Sequence, residues 1–328
     1  MSVIPKIKEY KCYMCSLFFR IKKKLRKTIC FLFCLFFFTN VFCKQRTLYV
    51  DNFNNIIGSP GKEDKLLLFA KRNNFKTLIL YQLNKVDKRW SLSDPKKNIV
   101  LAEFMSKAKN EFSIQNIGAS GESASFFTNA INPYNNSRSN PQEKFDIYNL
   151  EYEYWSKKAS GEDGYYCVNY LEENAIPCNR IGSFNYFIEN LKELKNVSNK
   201  SKHPINIEVY LGYYTEKEII EINKYCDRLI IQAHGRTPVL SFTAVKKSLN
   251  YVSKINSKIK ISILFSTQIS HLGNWLKFDT LETGETMFFE EMNNKNIKLK
   301  KQLNLDGFSY HAYTDLERSI NYYSYNKK

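Results

Sequence analysis

The sequence has few of the residues that build metal centres, and it lacks the usual dinucleotide-binding motif. Beyond residue 43 only three cysteines remain, no Cys-x-x-Cys pair occurs, and the four histidines stand apart from one another. Zinc sites need such ligands at short spacings, so we expect no metal site and no cofactor. The segment NIIGSPGKED after the first predicted strand does not match Gly-x-Gly-x-x-Gly, which disfavours an open nucleotide-binding sheet.

Positive charge is abundant, but it is not concentrated in one stretch. The 328 residues include 49 Lys or Arg and 32 Asp or Glu, a formal net charge of +17. Residues 1–43 hold nine of the basic and one of the acidic side chains, so the rest of the chain carries +9. A nucleic-acid site would need a basic stripe with stacking aromatic side chains. None is visible, so we expect no nucleic acid as a partner.

The apolar run near the amino terminus is too short to span a bilayer comfortably. It extends over 15 residues from Ile29 to Cys43 and follows a basic cluster that ends at Lys27. This pattern is typical of a secretory signal and predicts export, to a secreted, periplasmic or cell-surface location. Cleavage after Cys43 is one outcome, and an uncleaved anchor or a lipoprotein attached through Cys43 are the alternatives. We expect contact with a membrane only through segment 1–43.

Three cysteines follow the predicted signal segment, namely Cys167, Cys178 and Cys226. An exported location allows one disulfide, and the pair Cys167 and Cys178 would close the shortest loop. An odd number of cysteines leaves one thiol over.

Short apolar runs alternate with longer stretches of helical periodicity over residues 47–325. The eight predicted strands are rich in Val, Ile, Leu and Tyr, and they lie at 47–53, 77–83, 112–120, 145–155, 205–213, 227–234, 260–267 and 305–313. Eight strand and helix units over about 270 residues predict an α/β fold, a (β/α)₈ TIM barrel formed as a single domain. An open doubly wound sheet is the alternative.

Local signals predict where several helices and loops begin. Thr215 is the expected N-cap of a helix, with Glu218 completing a capping box. A helix is also predicted to start at Ser93 or Asp94. The polar segment 132–143 is predicted to be a surface loop, because turn-forming residues are clustered there.

The fourth predicted strand, FDIYNLEYEYW, changes character along its length. Side chains alternate along a strand, so Phe145, Ile147, Asn149, Glu151 and Glu153 point to one side. In a barrel the carboxyl ends of the strands meet at one mouth. We therefore expect the Phe and Ile to fill the interior and the two glutamates to reach the wet mouth. Neighbouring carboxylates with separated pKa values suit acid-assisted cleavage of a glycosidic bond.

The alternative is that this strand ends at Leu150 and that the acidic, aromatic residues after it form a surface loop. FDIYNLEYEY nevertheless resembles the fourth-strand signature of glycoside hydrolase family 18, the chitinases and endo-β-N-acetylglucosaminidases, which runs F-D-G-x-D-x-D-x-E-Y. Phe145, Asp146, Glu153 and Tyr154 match outright. The family has a (β/α)₈ barrel, so the resemblance implies the same fold as the strand pattern.

The resemblance also implies a reaction, a retaining and substrate-assisted cleavage of glycans that contain N-acetylglucosamine. Glu153 would be the proton donor, Glu151 would stand where the family has an Asp that orients the acetamido group, and Asn149 would occupy the middle Asp position. Glu151 is one methylene longer than Asp, and Asn149 cannot share a negative charge. The alternative is therefore an inactive barrel that binds glycan or acts as a scaffold in a cell-surface assembly. The expected partners are a glycan or glycoprotein and cell-surface proteins.

Further substrate contacts are expected from side chains near the ends of the other strands. Acids, amides and rings at these positions suit a polar ligand such as a sugar, and the candidates are Asp51, Tyr81, Gln115, Tyr210, Gln232, His234, Tyr310 and His311. Trp155 and Trp275 follow predicted strand ends and are candidate sugar platforms, with packing as the alternative role. The chain has only three Trp, which favours an endo-acting enzyme over a processive chitinase with a Trp-lined track.

Overall fold

The computed structural model describes residues 45–255 and 258–326, and the predicted signal segment 1–43 lies outside these residues. Eight parallel strands pair in chain order, and the last pairs with the first, so they close a barrel. This result confirms the predicted (β/α)₈ TIM barrel and excludes the open sheet. The strands are β1 Gln45–Val50, β2 Phe75–Leu80, β3 Asn116–Gly121, β4 Ile147–Leu150, β5 Asn206–Leu211, β6 Arg228–Gln232, β7 Lys260–Ser266 and β8 Asn304–His311.

Eleven α-helices occur in the described part of the chain. They are α1 Pro60–Arg72, α2 Leu83–Trp90, α3 Ile99–Phe112, α4 Ala124–Phe126, α5 Asn132–Ser137, α6 Lys157–Ser160, α7 Arg180–Lys200, α8 Glu216–Ile222, α9 Pro238–Ser253, α10 Leu281–Gln302 and α11 Tyr313–Asn326. None of these helices has both the length and the apolar character needed to cross a membrane.

Two of the local predictions are wrong. The helix expected from Ser93 or Asp94 begins only at Ile99, since the side chain of Asn98 is buried and donates to the carbonyl of Leu92. The segment 132–143 contains α5 and a single 3₁₀ turn instead of a loop. Although most of its residues are polar, the segment packs against the core. The Tyr134 ring is fully buried, and its hydroxyl donates to the carbonyl of Glu143.

The capping box at the start of α8 is confirmed. The side chain of Thr215 accepts from the backbone N–H of Glu218, and the Glu218 carboxylate accepts from the backbone N–H of Thr215. The same carboxylate receives the guanidinium of Arg180, at the first residue of α7, at 2.8 Å. Glu218 therefore joins the first turns of two neighbouring helices.

Side chains inside the barrel form layers of different polarity. Near its middle, an apolar layer contains Tyr49, Ile79, Ile147, Tyr210, Ile230 and Leu264. Towards the amino ends of the strands, Arg228 is 5% exposed and lies 3.1 Å from Glu208 and 3.2 Å from Asp306. This ion cluster lies at the end of the barrel opposite the mouth, where it lines a separate cavity of about 350 Å³.

The fourth strand begins and ends at different residues than expected. β4 starts at Ile147, so Phe145 lies before it and packs against Tyr134 outside the barrel, and its expected place in the interior is wrong. The side chain of Asn135 fixes it there by pairing with both backbone polar groups of Phe145. β4 ends at Leu150, but the residues after it are not a surface loop.

Candidate active site at the barrel mouth

A cavity of about 350 Å³ opens beyond the carboxyl ends of β2, β3 and β4. Glu151 and Glu153 both line it, as the alternation along the fourth strand predicts. The two residues between and after them, Tyr152 and Tyr154, are fully buried on the other side against the helices. The alternation thus continues past the last paired residue of β4, and it carries both carboxylates to the same mouth.

Glu151 lies in the inner part of this cavity. Tyr81 donates a hydrogen bond to Oε2 of Glu151, and Ser120 donates to the same oxygen at 3.2 Å. Burial, followed by the charge of Glu153, raises the pKa of Glu151 to about 8. The Glu151 carboxyl group therefore keeps its proton at neutral pH.

Glu153 is less deeply placed and is held from two sides. Its backbone N–H donates to the hydroxyl of Tyr166 at 3.1 Å, and its carboxylate accepts a hydrogen bond from Tyr210. Burial raises the pKa of Glu153, the bond from Tyr210 opposes this shift, and the negative charge of Glu122 adds to it. The cavity wall, as far as the described residues form it, contains no Lys or Arg to neutralise these acids.

Glu122 is a third carboxylate at this mouth, and it is not among the site residues predicted from the sequence. Its Oε2 accepts from the hydroxyls of Tyr165 and Tyr170, at 2.8 and 2.7 Å. The ring of Tyr166 stacks on Tyr152 with centroids 4.1 Å apart. The signal in the sequence is an acid two residues after the predicted third strand, together with a tyrosine-rich run in the irregular segment 156–179.

A disulfide fixes the segment that carries these tyrosines. Cys167 and Cys178 are bonded, which confirms the pairing expected from the shortest loop, and Cys226 is a buried free thiol. Glu172 lies close to both bonded sulfurs. A disulfide offers no thiolate, so we assign no metal-binding role to this trio.

Asn149 lies deeper than the two glutamates and does not line the cavity. Its side chain is fully buried and donates from Nδ2 to the hydroxyl of Tyr49 at 3.2 Å. Its Oδ1 has no hydrogen-bond partner within the described protein. Asn149 thus points to the same side of the fourth strand as Glu151 and lies two residues deeper in the barrel.

The opposite side of the mouth contains amide and imidazole groups. Gln232 contacts the ring of His234 at 2.8 Å, and His234 stacks on His271 with centroids 4.7 Å apart. Burial, assisted by the charges of His271 and His311, lowers the pKa of His234 to about 4. Burial also lowers the pKa of His311, whose ring lies 5.5 Å from that of Tyr81. These two imidazoles are therefore neutral at physiological pH.

Trp155 is the tryptophan that reaches the mouth. Its ring centroid lies 5.7 Å from that of Tyr210, and it is partly buried. A Cβ added at Gly212 would come within 2.9 Å of the Trp155 ring and 2.4 Å of Oε1 of Gln232. Only glycine allows the chain to pass so close, and this brings Trp155, Tyr210 and Gln232 together.

Two predicted contacts are not at the mouth. Gln115 precedes β3 at its amino end, where its N–H donates to the carbonyl of Lys76, so its assignment to the mouth is wrong. Tyr310 points outward from β8, packs edge-on against Phe75 and donates to Glu285 at 2.7 Å. Register explains the error at Tyr310, since a shift of one residue reverses the side to which a side chain points. The error at Gln115 has another cause, because β3 begins only at Asn116 and Gln115 therefore lies at the opposite end of the barrel.

Asp51 and Trp275 follow strands β1 and β7 and make structural contacts there. The Asp51 carboxylate accepts from the backbone N–H of Thr314 at 2.9 Å and so fixes the start of α11. Trp275 packs over Gly284 of α10, where an added Cβ would lie 3.1 Å from the ring. Their contact with a sugar stays a prediction.

No protein-family model matches this chain, and no curated protein matches it. Among solved structures, the ICChI chitinase from Ipomoea carnea aligns at 12% identity and a TM-score of 0.49, over 85% of this chain and 98% of that one. A family 18 chitinase from Crocus vernus aligns at 12% identity and 0.46, over 86% and 97%. The YdjI aldolase from Escherichia coli K12 aligns at 13% identity and 0.41, over 87% and 88%. Chitinases and aldolases thus match alike, and neither assigns a reaction.

Proposed function

We propose that this protein is an exported glycoside hydrolase that cleaves glycans containing N-acetylglucosamine. The observation that carries the proposal is the pair Glu151 and Glu153 in one cavity, each held by a tyrosine hydroxyl and neither balanced by a basic residue of the described wall. Such a pair retains a proton near neutral pH, which is what acid-assisted cleavage of a glycosidic bond requires. The resemblance of FDIYNLEYEY to the family 18 signature supports the same reaction.

In the proposed reaction, the oxygen of the substrate's own 2-acetamido group attacks the anomeric carbon. The bond to the leaving oxygen breaks as Glu153 transfers its proton to that oxygen. Water then attacks the anomeric carbon of the cyclic intermediate and gives a proton back to Glu153, so the product retains its configuration. Glu151 and Tyr81 would orient the acetamido group. A bound sugar removes water from Glu153, which raises its pKa further and favours the proton on this residue.

A second candidate is a barrel that binds glycan without cleaving it. Two observations favour it, since Glu151 is uncharged at neutral pH and Asn149, which bonds to Tyr49, is an amide and carries no charge. Neither then offers the negative charge that would stabilise a positively charged intermediate. In this case the protein would be a glycan-binding or scaffold component at a cell surface.

The test is hydrolysis of chitin oligomers and of glycans with a chitobiose core by residues 44–328. We expect turnover by the wild type and a loss of about a hundredfold or more in Glu153→Gln, because the general acid is removed. Glu290→Gln, an exposed glutamate on α10, is the matched control and should be unaffected. Absence of turnover by the wild type on every such substrate would overturn the hydrolase, and retained binding would then favour the second candidate.

A comparison of acetylated and de-acetylated oligomers tests the substrate-assisted step. Oligomers of glucosamine lack the acetamido oxygen, so they should bind without being cleaved, and the acetylated oligomers should give products of retained configuration by NMR. Export through segment 1–43, and a glycan, glycoprotein or cell-surface protein as partner, belong to the same proposal. Amino-terminal sequencing of the secreted protein would locate the cleavage site.

A further inference from the structure

A second, larger cavity runs outward from the mouth over α7. It measures about 1210 Å³ and lies between α7 and the segment that ends at Asn179. Ser123 and Tyr170 line both this groove and the mouth cavity. The two cavities therefore meet at these side chains, next to Glu122, whose carboxylate accepts the hydroxyl of Tyr170. A ligand in the mouth could extend into the groove without leaving the surface of the protein.

The lining of the groove suits an uncharged, hydroxyl-rich ligand. Six amides line it, at Asn169, Asn174, Asn179, Asn185, Asn190 and Asn196. Four of them, Asn169, Asn174, Asn179 and Asn190, make hydrogen bonds within the protein, so the exposed side chains of Asn185 and Asn196 are the most available to a ligand. An amide both donates and accepts, as sugar hydroxyls do. The rings of Tyr170 and Tyr186 lie 5.9 Å apart, and Ile181 is 75% exposed, so apolar surface for the faces of sugar rings is also present.

Charge in the groove disfavours an acidic ligand. Three exposed glutamates, Glu173, Glu189 and Glu193, line it together with a single lysine, Lys192. Lys192 is paired with Glu189 at 2.7 Å. An anionic polysaccharide or a nucleic acid would meet net repulsion here, whereas a neutral glycan would not.

The backbone around the groove is fixed before any ligand binds. A Cβ at Gly182 would lie 2.2 Å from the carbonyl oxygen of Pro177, so the glycine lets this loop rest directly on α7. The side chain of Asn179 caps α7 by accepting from the N–H of Gly182 at 2.9 Å. The disulfide between Cys167 and Cys178 closes the same loop. A fixed groove loses less entropy when it binds a ligand.

We propose that this groove binds the outer units of an uncharged oligosaccharide whose reacting N-acetylglucosamine lies in the mouth. The proposal rests on the proposed function and names its substrate class as long or branched neutral glycans. The mouth cavity, at about 350 Å³, is near the lower end of ordinary ligand pockets, which span roughly 300–1,000 Å³, and the groove exceeds that range. The size difference indicates a short reacting site joined to a multi-unit binding site.

Asn185→Trp tests the groove, since Asn185 is an exposed groove residue outside the mouth. The substrates are a mannose-rich glycan with a chitobiose core and a short aryl glycoside of di-N-acetylchitobiose. We expect the variant to lower kcat/KM for the glycan at least tenfold and to leave the short substrate unchanged. Asn110→Trp, on the exposed side of α3, is the matched control. Equal kcat/KM values of Asn185→Trp and the wild type for the mannose-rich glycan would overturn the proposal that the groove binds glycan.

A binding measurement separates this proposal from the hydrolase itself. Calorimetry with Glu153→Gln, alone and combined with Asn185→Trp, needs no turnover and uses the same mannose-rich glycan. Weaker binding in the double variant supports the groove even if no substrate is cleaved. If the wild type cleaves the short substrate and the double variant binds the glycan as well as Glu153→Gln does, the groove proposal is wrong and the proposed hydrolase activity is retained. Equal binding of a glycopeptide and its deglycosylated peptide would also overturn it, since a peptide would then be the occupant.

Discussion

The hydroxyl of Tyr210 on β5 donates a hydrogen bond to the carboxylate of Glu153 beyond the end of β4. Tyr210 is only 6% exposed, so water does not take over this bond when the mouth is empty. The protonation of Glu153 is therefore set by two opposing effects. Burial holds its pKa above the usual range, and the bond from Tyr210 limits the shift.

Tyr210→Phe should raise the pKa of Glu153 further, because the phenyl ring keeps the burial and removes the donor. If the proposed reaction is right, the basic limb of the pH profile of kcat/KM moves to higher pH, since the acid stays protonated longer. We expect activity at its optimum to fall about tenfold from the loss of positioning. A pH–rate profile of both proteins measures this shift. Tyr213→Phe, an exposed tyrosine just after β5, is the control, and an unshifted profile in Tyr210→Phe would contradict the assignment.

Glu151→Gln should flatten the dependence of stability on pH. Below about pH 4.5 this carboxyl group is protonated in the folded and unfolded chain alike. Between 4.5 and about 8 the unfolded chain ionises while the fold keeps the proton, so the free energy of unfolding falls as pH rises. The loss is a few kcal/mol across this window for the wild type. Urea unfolding at pH 5, 7 and 9 measures it, and the same slope in Glu151→Gln as in Glu290→Gln would contradict the shifted pKa.

Removal of the disulfide should cost about 3 kcal/mol of stability, the loop-closure entropy of a loop of this size. The two cysteines are 11 residues apart, and the loop carries Tyr170 of the mouth wall. Urea unfolding of Cys167→Ala/Cys178→Ala against the oxidised wild type gives the difference. Reduction should destabilise the wild type by a similar amount and leave the double variant unchanged. A response of the double variant to reductant would show that another bond is involved.

Arg228→Met should destabilise the barrel by about 3–5 kcal/mol, because it leaves Glu208 and Asp306 without their cation. Glu208 is 2% exposed, although it lines the cavity at this end of the barrel, so water replaces the lost partner only in part. Adding Glu208→Gln to this variant should recover part of the loss, since it removes one of the two unpaired charges. A double-mutant cycle by urea unfolding measures the coupling. Strictly additive effects would indicate that the two side chains do not interact.

The fold could be predicted from the sequence because burial requires apolar residues to recur at the period of each strand or helix. Each strand of a parallel barrel is covered by helices, so it appears as a short apolar run between longer amphipathic stretches. The convergence of Glu151 and Glu153 followed from the same alternation. The bond between Cys167 and Cys178 followed from loop length.

The missed features depend on contacts between distant parts of the chain. Tyr310 and His311 are adjacent, and only the register of β8 decides which of them enters the barrel. Gln115 was placed at the wrong end of a strand because polar residues flank both ends of β3. Glu122 accepts hydrogen bonds from Tyr165 and Tyr170, which are more than 40 positions away in the chain. Sequence spacing alone does not predict such a long-range contact.

The double attachment of Glu218 has an evolutionary consequence. One carboxylate both caps α8 and holds Arg180 at the first residue of α7, the helix that forms one side of the groove. Substitution by Asp would shorten the side chain and release one attachment, whereas Gln would keep the reach but lose the charge that attracts the arginine. Neither Asp nor Gln can make both attachments. We therefore expect fewer amino-acid substitutions at position 218 during evolution than at the exposed glutamates around it.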